Sequence, residues 1–156
     1  MHHLDERYVI AVDQRGHGRS DKIFPVHWSE FGRDLADIVR AMDLRDIVGV
    51  GHSMGGHAVT QAAATLPDRF KRLVLIDPVI VAPEAYAAAA QQAEMFANFP
   101  HPRAKRRSHW ESATEMFKRF EQRPPFSQFD RRVLRDYCEY GLLANPEGAG
   151  YVLACP

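Results

Sequence analysis

The sequence predicts an α/β fold in which helices flank a parallel sheet. Two observations lead to this prediction. In the first half of the chain, short apolar runs alternate with longer segments of helical periodicity, a pattern typical of parallel strands joined by helical crossovers. The runs are also apolar without alternation, as expected for strands whose two faces are both covered by helices.

Each element of this pattern has its own signal. Apolar, β-branched runs predict buried strands at residues 8–12, 47–51 and 72–76. Between the first two strands, Phe31, Leu35 and Val39 share one face of an amphipathic helix that extends from about residue 29 to about residue 42. A second helix begins at Met54 and ends before Pro67, because proline cannot continue it.

The second half of the chain predicts a helical insertion beside the sheet. One helix is expected over residues 83–99, another after the capping box formed by Ser112 and Glu115, and a third from Asp130. The chain is therefore expected to divide into a partial core, a helical cap or lid, and a short segment that begins the return to the core, at residues 1–80, 81–149 and 150–156.

Composition excludes several classes of function. Twenty Lys and Arg side chains balance twenty Asp and Glu side chains, so no global field attracts nucleic acid or anionic lipid. The most apolar run, residues 73–93, is interrupted by charges and prolines, and the start of the chain lacks the apolar stretch of a signal peptide. Two cysteines are too few for a disulfide framework. We expect a cytoplasmic protein with no nucleic-acid or membrane partner.

The motif Gly51-His52-Ser53-Met54-Gly55 lies where a predicted strand meets a predicted helix, and it is typical of a nucleophile elbow. The turn is expected to be so sharp that only small residues avoid a collision two positions before and after Ser53. Gly51 and Gly55 occupy these two positions. Ser53 then presents its hydroxyl at the carboxyl edge of the sheet, and the Met54 N–H at the helix start can stabilise an oxyanion. A glycine-rich helix start that serves only packing is the alternative.

The resemblance to a family rests on four segments. Asp13-Gln14-Arg15-Gly16-His17-Gly18-Arg19-Ser20-Asp21 resembles the loop after the fourth strand of α/β hydrolases, and Gly51 to Gly56 resembles their elbow. Leu66-Pro67-Asp68-Arg69 and Leu73-Val74-Leu75-Ile76-Asp77-Pro78 resemble the helix end and sixth strand that follow. Residues 81–149 resemble the family's cap more loosely. The resemblance implies a cap-bearing hydrolase, present in these residues as a fragment.

The resemblance also implies a chemistry. Members with a carboxylate at the Ser53 position cleave epoxides or carbon–halogen bonds, whereas a serine indicates acyl chemistry and requires no metal or organic cofactor. The family order is Ser, then Asp or Glu, then His, so the catalytic histidine and the usual acid are expected outside this chain. Asp77 is a minority candidate for the acid, and we expect instead that it shapes the cap entrance.

Five histidines are candidates for the base, and none is expected to serve as one. His52 leaves the strand on the side opposite Ser53, and the second helix carries His57 away from the hydroxyl. His17 lies in the scaffold loop, and His101 and His109 lie in the predicted cap.

The sequence therefore predicts a serine hydrolase that acts on an ester or related acyl bond of a small molecule through an acyl-enzyme on Ser53. The alternatives are an acyltransferase on the same site, and a non-catalytic protein of this fold or a gene fragment. Without the expected histidine, residues 1–156 alone are expected to be inactive.

Overall fold

The computed structural model describes residues 6–21, 28–80, 82, 84 and 107–155. The chain divides into two compact units. The elbow unit comprises residues 25–104, and the terminal unit comprises residues 1–24 together with residues 105–156.

From Trp28 to Ile76, the elbow unit consists of two α-helices, a 3₁₀ turn and a two-stranded parallel sheet. Its elements in chain order are α1 (Trp28–Ala41), β1 (Ile47–His52), α2 (Met54–Thr65) and β2 (Phe70–Ile76). Strand β1 pairs with β2 in parallel, with Gly49 opposite Leu73 and Gly51 opposite Leu75. These four elements confirm the predicted order and the predicted parallel pairing.

Helix α2 packs closely on one face of this sheet. A side chain at Gly49 would approach the Val59 Cγ1 atom to 2.6 Å, so β1 and α2 meet at a distance that only glycine permits. Helix α1 packs on α2, and their apolar faces form the core of the unit from Phe31, Ala36, Val39, Ala58, Val59 and Ala62.

An ion pair joins the end of α1 to the turn before β2. Asp43 adopts a positive φ of 45° after α1, and its carboxylate accepts a hydrogen bond from Arg69, which lies in the 3₁₀ turn Pro67–Arg69. This bond, with the nearby charge of Arg45, lowers the pKa of Asp43 below its ordinary value. Aspartate tolerates the left-handed region better than most residues, which suits it to this position.

The prediction of a buried strand at residues 8–12 is wrong for this structure. These residues have no regular secondary structure, and Tyr8, Val9, Ile10 and Val12 are exposed. An extended segment becomes a strand only when a neighbour pairs with its backbone, and the described residues supply no such neighbour. Local β-propensity was therefore insufficient to form the strand.

The terminal unit contains two helices and a small antiparallel sheet. Its elements are β3 (His109–Trp110), α3 (Ala113–Phe120), α4 (Arg131–Tyr140), β4 (Leu142–Ala144) and β5 (Tyr151–Leu153). Strand β5 lies between β3 and β4. The core is formed by Trp110, Met116, Leu134, Cys138, Leu142 and Leu153, with aromatic rings from Phe117, Phe120, Phe126 and Tyr137 packed against it.

The predicted helices that begin after Ser112 and at Asp130 are confirmed as α3 and α4. The three short strands were not predicted, and Tyr151–Leu153 joins this antiparallel sheet, whereas residues 150–156 were expected to begin a return to the core. Two- and three-residue strands carry too little periodicity to be recognised from sequence. The helix expected over residues 83–99 lies outside the described residues, apart from Glu84, and the division into core and cap stays a prediction.

The loop at residues 13–21 is held by its own hydrogen bonds. The Asp13 carboxylate accepts the Arg19 N–H at 3.0 Å, and the Ser20 hydroxyl donates to the Asp13 carbonyl at 2.6 Å. Gly18 has a φ of +53°, and a side chain there would collide with the Asp13 carboxylate. The Gly18 N–H also donates to the Ala154 carbonyl at 2.7 Å, which joins the loop to the residue after β5.

Among the residues that the structure describes, no helix is long and apolar enough to cross a bilayer.

The capping box at α3 is confirmed in a modified form. The Ser112 hydroxyl accepts the Glu115 N–H at 3.1 Å, but the Glu115 carboxylate accepts the Glu111 N–H at 3.0 Å rather than that of Ser112. This backbone bond, with an ion pair to Arg107, lowers the pKa of Glu115.

We predict that Ser112→Ala lowers the free energy of unfolding by about 1 kcal/mol, because the first turn of α3 loses its side-chain acceptor. Urea denaturation monitored by circular dichroism measures the change. Ser127→Ala, at an exposed serine of the same unit, is the control and is expected to change stability by less than about 0.5 kcal/mol. Equal effects of the two substitutions would contradict the capping role.

Candidate active site

Ser53 occupies the junction between β1 and α2. Its φ is 52° and its ψ is −119°, a conformation that non-glycine residues rarely adopt. Such a residue costs on the order of 1–3 kcal/mol and persists only where its surroundings fix it. The strained serine predicted for a nucleophile elbow is therefore present at this position.

Hydrogen bonds to the Ser53 backbone fix this conformation. Its N–H donates to the Ile76 carbonyl at 3.0 Å, which extends the β1–β2 ladder by one step. Its carbonyl accepts the N–H groups of Gly56 at 3.0 Å, of Val79 at 3.2 Å and of His57 at 3.3 Å. The elbow is thus tied to the end of β2, to the segment that follows it, and to the first turn of α2.

The glycines around Ser53 differ in the space that a side chain would find at each position. A side chain at Gly51 would collide with the Gly55 carbonyl, so Gly51 is required by the turn as predicted. A side chain at Gly55 would meet nothing within 4 Å, and the expectation that Gly55 avoids a collision is wrong. A side chain at Gly56 would lie 2.7 Å from the Pro78 Cβ atom.

Gly56 is therefore the second glycine that the elbow needs. Gly56 belongs to the segment that resembles the family's elbow, but the sequence predicted no role for it. The adjacent Gly55-Gly56 pair, with Pro78 after the next strand, was the signal available. The spacing of the motif predicted that Gly55 must lack a side chain. The close approach of the segment after β2 instead requires that Gly56 lack one.

Met54 is the first residue of α2. The N–H groups of the first helical turn have no acceptor in the helical pattern, and the helix dipole makes this end electropositive. The Met54 N–H therefore belongs to the residue that follows Ser53 at this helix start, and its role as an oxyanion donor stays a prediction.

Asp77 lies beside Ser53 at the carboxyl edge of the sheet. Because His52 pairs with Ile76, the residues that follow them leave neighbouring strands at the same level. Asp77 is exposed and also has a positive φ, at 42°. Its place at the sheet edge suits either a catalytic acid or a residue that shapes the turn after β2.

His57 is buried on α2, one turn beyond Ser53. Its Nδ1–H donates to the Val79 carbonyl at 3.2 Å, and its ring packs edge-on against Trp28 at a centroid distance of 5.4 Å. These contacts bind the segment after β2 to α1 and α2, as expected for a structural histidine. His52 is exposed at the end of β1, on the sheet face opposite α2.

The remaining histidine candidates belong to other parts of the chain. In the terminal unit, the His17 ring donates to the Arg15 carbonyl at 3.0 Å, and the His109 ring is hydrogen-bonded to the Ser108 hydroxyl at 2.9 Å. His101 lies outside the described residues. In the described part of the chain, no group of His, Cys, Asp and Glu side chains could hold a metal ion.

Comparison with known proteins identifies the family. Residues 1–153 match the model of the Alpha/beta hydrolase family. The chain belongs to this family. The predicted fold class of a parallel sheet with flanking helices is confirmed.

The curated proteins that are similar to this α/β hydrolase are named as several different kinds of enzyme. The chain is 42% identical over 73 residues to a non-heme chloroperoxidase of Streptomyces lividans, which matches 46% of this chain and 26% of that protein. It is 35% identical over 83 residues to the esterase YbfF of Escherichia coli, with 53% and 32% covered. It is 34% identical over 106 residues to the sn-1-specific diacylglycerol lipase ABHD11 of Mus musculus, with 64% and 34% covered.

Solved structures show the same fold. The esterase Rv0045c of Mycobacterium tuberculosis superposes with a TM-score of 0.58 and 22% identity, over 92% of this chain and 48% of that structure. The protein PA1622 of Pseudomonas aeruginosa superposes with a TM-score of 0.61 and 20% identity, over 92% and 51%. The chain thus spans about half the length of the structures that it matches.

We predict that Gly51→Ala destabilises the protein and that Gly55→Ala does not. The first substitution places a methyl group against backbone that cannot move, at a cost of about 1–3 kcal/mol or more. The second adds a methyl group in open space within a helix, where alanine is favoured over glycine by about 1 kcal/mol. Urea denaturation of the two variants, each two residues from Ser53 in the sequence, measures the difference. A Gly55→Ala loss as large as that of Gly51→Ala would contradict this account of the turn.

We predict that Asp77→Asn in the protein produced from its complete reading frame retains most of the activity, with a loss below about tenfold. Asparagine also tolerates a positive φ, so the substitution removes the charge and keeps the backbone. Steady-state kinetics on an ester substrate measure the loss, with Asp68→Asn as a control for charge on the same unit. A loss of about ten-thousandfold, confined to Asp77, would instead identify it as the carboxylate that orients the catalytic histidine.

Proposed function

We propose that this protein is a serine hydrolase that cleaves an ester or a related acyl bond of a small molecule through an acyl-enzyme on Ser53. The observation that carries the proposal is the strained φ of 52° at Ser53, held at the β1–α2 junction by four backbone hydrogen bonds. A serine that served only packing would gain nothing from this conformation.

The proposed reaction has two halves. The Ser53 hydroxyl attacks the substrate carbonyl carbon, a general base takes its proton, and the carbonyl oxygen becomes an oxyanion near the Met54 N–H. The tetrahedral intermediate collapses, the leaving alcohol takes the proton, and the acyl group stays on the serine. Water then attacks the ester carbonyl of the acyl-enzyme and returns the enzyme with a free carboxylic acid.

The proposed base is a histidine outside these 156 residues. The His57 ring donates a hydrogen bond to the Val79 carbonyl, and His52 is on the sheet face opposite α2. Neither histidine of the elbow unit is therefore placed to act as the base for Ser53. The family order supports a histidine later in the chain than the serine. The expectation that residues 1–156 alone are inactive stays a prediction.

The relatives support acyl chemistry. The names of two of them, an esterase and a diacylglycerol lipase, describe the cleavage of carboxylic esters. The proposed route uses only a hydroxyl, a base and backbone donors, and it requires no cofactor.

An acyltransferase would share the first half of the reaction and use an alcohol or thiol in place of water. A non-catalytic protein would retain the elbow without the base.

We predict that Ser53 is the residue labelled by a fluorophosphonate probe in the protein produced from its complete reading frame. Ser53→Ala should abolish labelling and lower turnover of a p-nitrophenyl ester by several orders of magnitude, up to about a millionfold. Ser29→Ala, which alters a serine on α1 of the same unit, is the control and should leave both measurements unchanged. The modified residue is located by peptide mass spectrometry.

Three outcomes separate the candidate functions. Labelling at a residue other than Ser53, or turnover by Ser53→Ala within tenfold of the parent, would overturn the proposed nucleophile. Labelling of Ser53 with acyl transfer to an added alcohol that exceeds hydrolysis would favour the acyltransferase. A folded complete protein that neither reacts with the probe nor hydrolyses esters would favour the non-catalytic alternative.

A further inference from the structure

The main chain of Val79 makes two hydrogen bonds to the beginning of α2. Its N–H donates to the Ser53 carbonyl at 3.2 Å, and its carbonyl accepts the Nδ1–H of the His57 ring at 3.2 Å. Since a carbonyl oxygen can only accept, the proton of this second bond lies on Nδ1. Val79 therefore links the elbow serine to a side chain one turn further along the same helix.

The chain turns sharply at Val79. The Ile80 N–H donates to the Pro78 carbonyl at 3.0 Å, which closes a three-residue turn centred on Val79. Pro78 lies so close to α2 that a side chain at Gly56 would approach its Cβ atom to 2.7 Å. The turn thus lies directly against the first turn of α2, and the two hydrogen bonds of Val79 fix its orientation there.

The His57 ring is held in place by its surroundings. The residue is 6% exposed, and its ring packs edge-on against Trp28, the first residue of α1, at a centroid distance of 5.4 Å. Close packing holds a buried side chain in a defined rotamer, so the Nδ1–H keeps its direction towards the Val79 carbonyl. Loss of this donor would remove a partner from a partly buried carbonyl and would favour a different position of the turn.

The hydrogen bond from Val79 to Ser53 acts on one particular peptide group. The Ser53 carbonyl and the Met54 N–H belong to the same planar, trans peptide group, so they point in opposite directions. Whatever fixes the carbonyl therefore also fixes the N–H that we propose as the oxyanion donor. Among the described residues, this carbonyl accepts from Gly56 and His57 within α2, whereas Val79 donates from a segment outside the helix.

We propose that His57 is a positioning residue for the oxyanion donor. Its Nδ1–H holds the Val79 carbonyl, the Val79 N–H holds the Ser53 carbonyl, and the direction of the Met54 N–H follows from both. This inference rests on the proposed reaction at Ser53. It gives His57 a part in turnover that needs neither contact with the substrate nor transfer of a proton.

A histidine that served only stability would have a different effect. Loss of stability lowers the amount of folded protein and leaves kcat per folded molecule unchanged. Misdirection of an oxyanion donor acts on the transition state, so it lowers kcat with little change in KM. Removal of a whole oxyanion donor typically lowers kcat by about a hundredfold to a thousandfold, and misdirection of one is expected to cost less.

The test compares two substitutions of similar shape in the protein produced from its complete reading frame. Asparagine and leucine branch in the same way at Cγ, but the asparagine amide can replace the Nδ1–H donor and a leucine methyl group cannot. His57→Asn and His57→Leu therefore both lose the ring contact with Trp28 and differ in the donor. Val59→Ala, in the core of the same helix, is the control for a loss of stability that leaves the donor in place.

We expect His57→Leu to lower kcat on a p-nitrophenyl ester, per folded molecule, by about tenfold to a hundredfold, with KM within about threefold of the parent value. His57→Asn and Val59→Ala should keep kcat within about threefold of the parent. Hydrogen exchange of the Val79 amide, measured by NMR, should be at least about tenfold faster in His57→Leu than in the parent, and within about threefold of the parent in His57→Asn.

Three results would overturn the proposal while leaving the proposed reaction intact. The first is a kcat of His57→Leu within about threefold of the parent, and the second is an equal loss of kcat in His57→Asn or Val59→Ala. The third is a Val79 amide that exchanges no faster in His57→Leu than in the parent. A parent protein that neither hydrolyses esters nor reacts with a fluorophosphonate would refute the proposed reaction, and this inference with it.

If His57→Leu does not fold, ¹⁵N NMR of the unsubstituted protein, labelled at histidine, shows which nitrogen of the His57 ring carries a proton. We expect a protonated Nδ1 whose proton exchanges slowly with solvent. An unprotonated Nδ1 could not donate to the Val79 carbonyl and would overturn the proposal.

Discussion

The hydrogen bond from the Ser53 N–H to the Ile76 carbonyl joins the parallel ladder to the turn that presents the serine. Several other features are consequences of this one constraint. If the chain continues the ladder for one residue and then enters α2 at once, Ser53 must adopt a positive φ. Gly51 must then lack a side chain, because the first turn of α2 lies directly over it. The strain at the serine is balanced by contacts made elsewhere, as is usual at functional sites.

The segment after β2 completes this arrangement. Val79 donates its N–H to the Ser53 carbonyl and accepts a hydrogen bond from the His57 ring, while Pro78 fills the space beside Gly56. His57 therefore contributes to the site through the backbone that it holds and not through its basicity. A histidine one turn from Ser53 invites a catalytic role, yet its ring already donates a hydrogen bond to the carbonyl of Val79.

The terminal unit is stabilised in a different way. Its core combines an antiparallel sheet with two amphipathic helices, and the rings of Phe120 and Phe126 stack at a centroid distance of 4.1 Å beside Tyr137. Most of the aromatic residues in this part of the chain pack on one another, which accounts for their spacing without a ligand. Phe129 is partly exposed, yet its ring packs edge-on against Phe126 at a centroid distance of 5.8 Å, whereas Tyr8, Tyr140 and Tyr151 are exposed.

The sequence by itself determined the elements whose signals are local. Helical periodicity gave α1, the small-residue run before Pro67 gave α2, and the strand–glycine–serine–helix pattern located the elbow. Each depends on side chains within a few residues of one another. The family resemblance followed from these same segments.

Only the tertiary structure decided the features that depend on distant partners. Residues 8–12 have the composition of a strand but lack a pairing neighbour among the residues that the structure describes, and the short β3, β4 and β5 exist only because they pair in one sheet. The need for Gly56 rather than Gly55 comes from Pro78, which lies more than twenty residues away in the chain. Hydrogen bonding and steric contact between segments distant in sequence leave no periodicity to read, so local patterns located Ser53 and the three-dimensional packing determined what holds it.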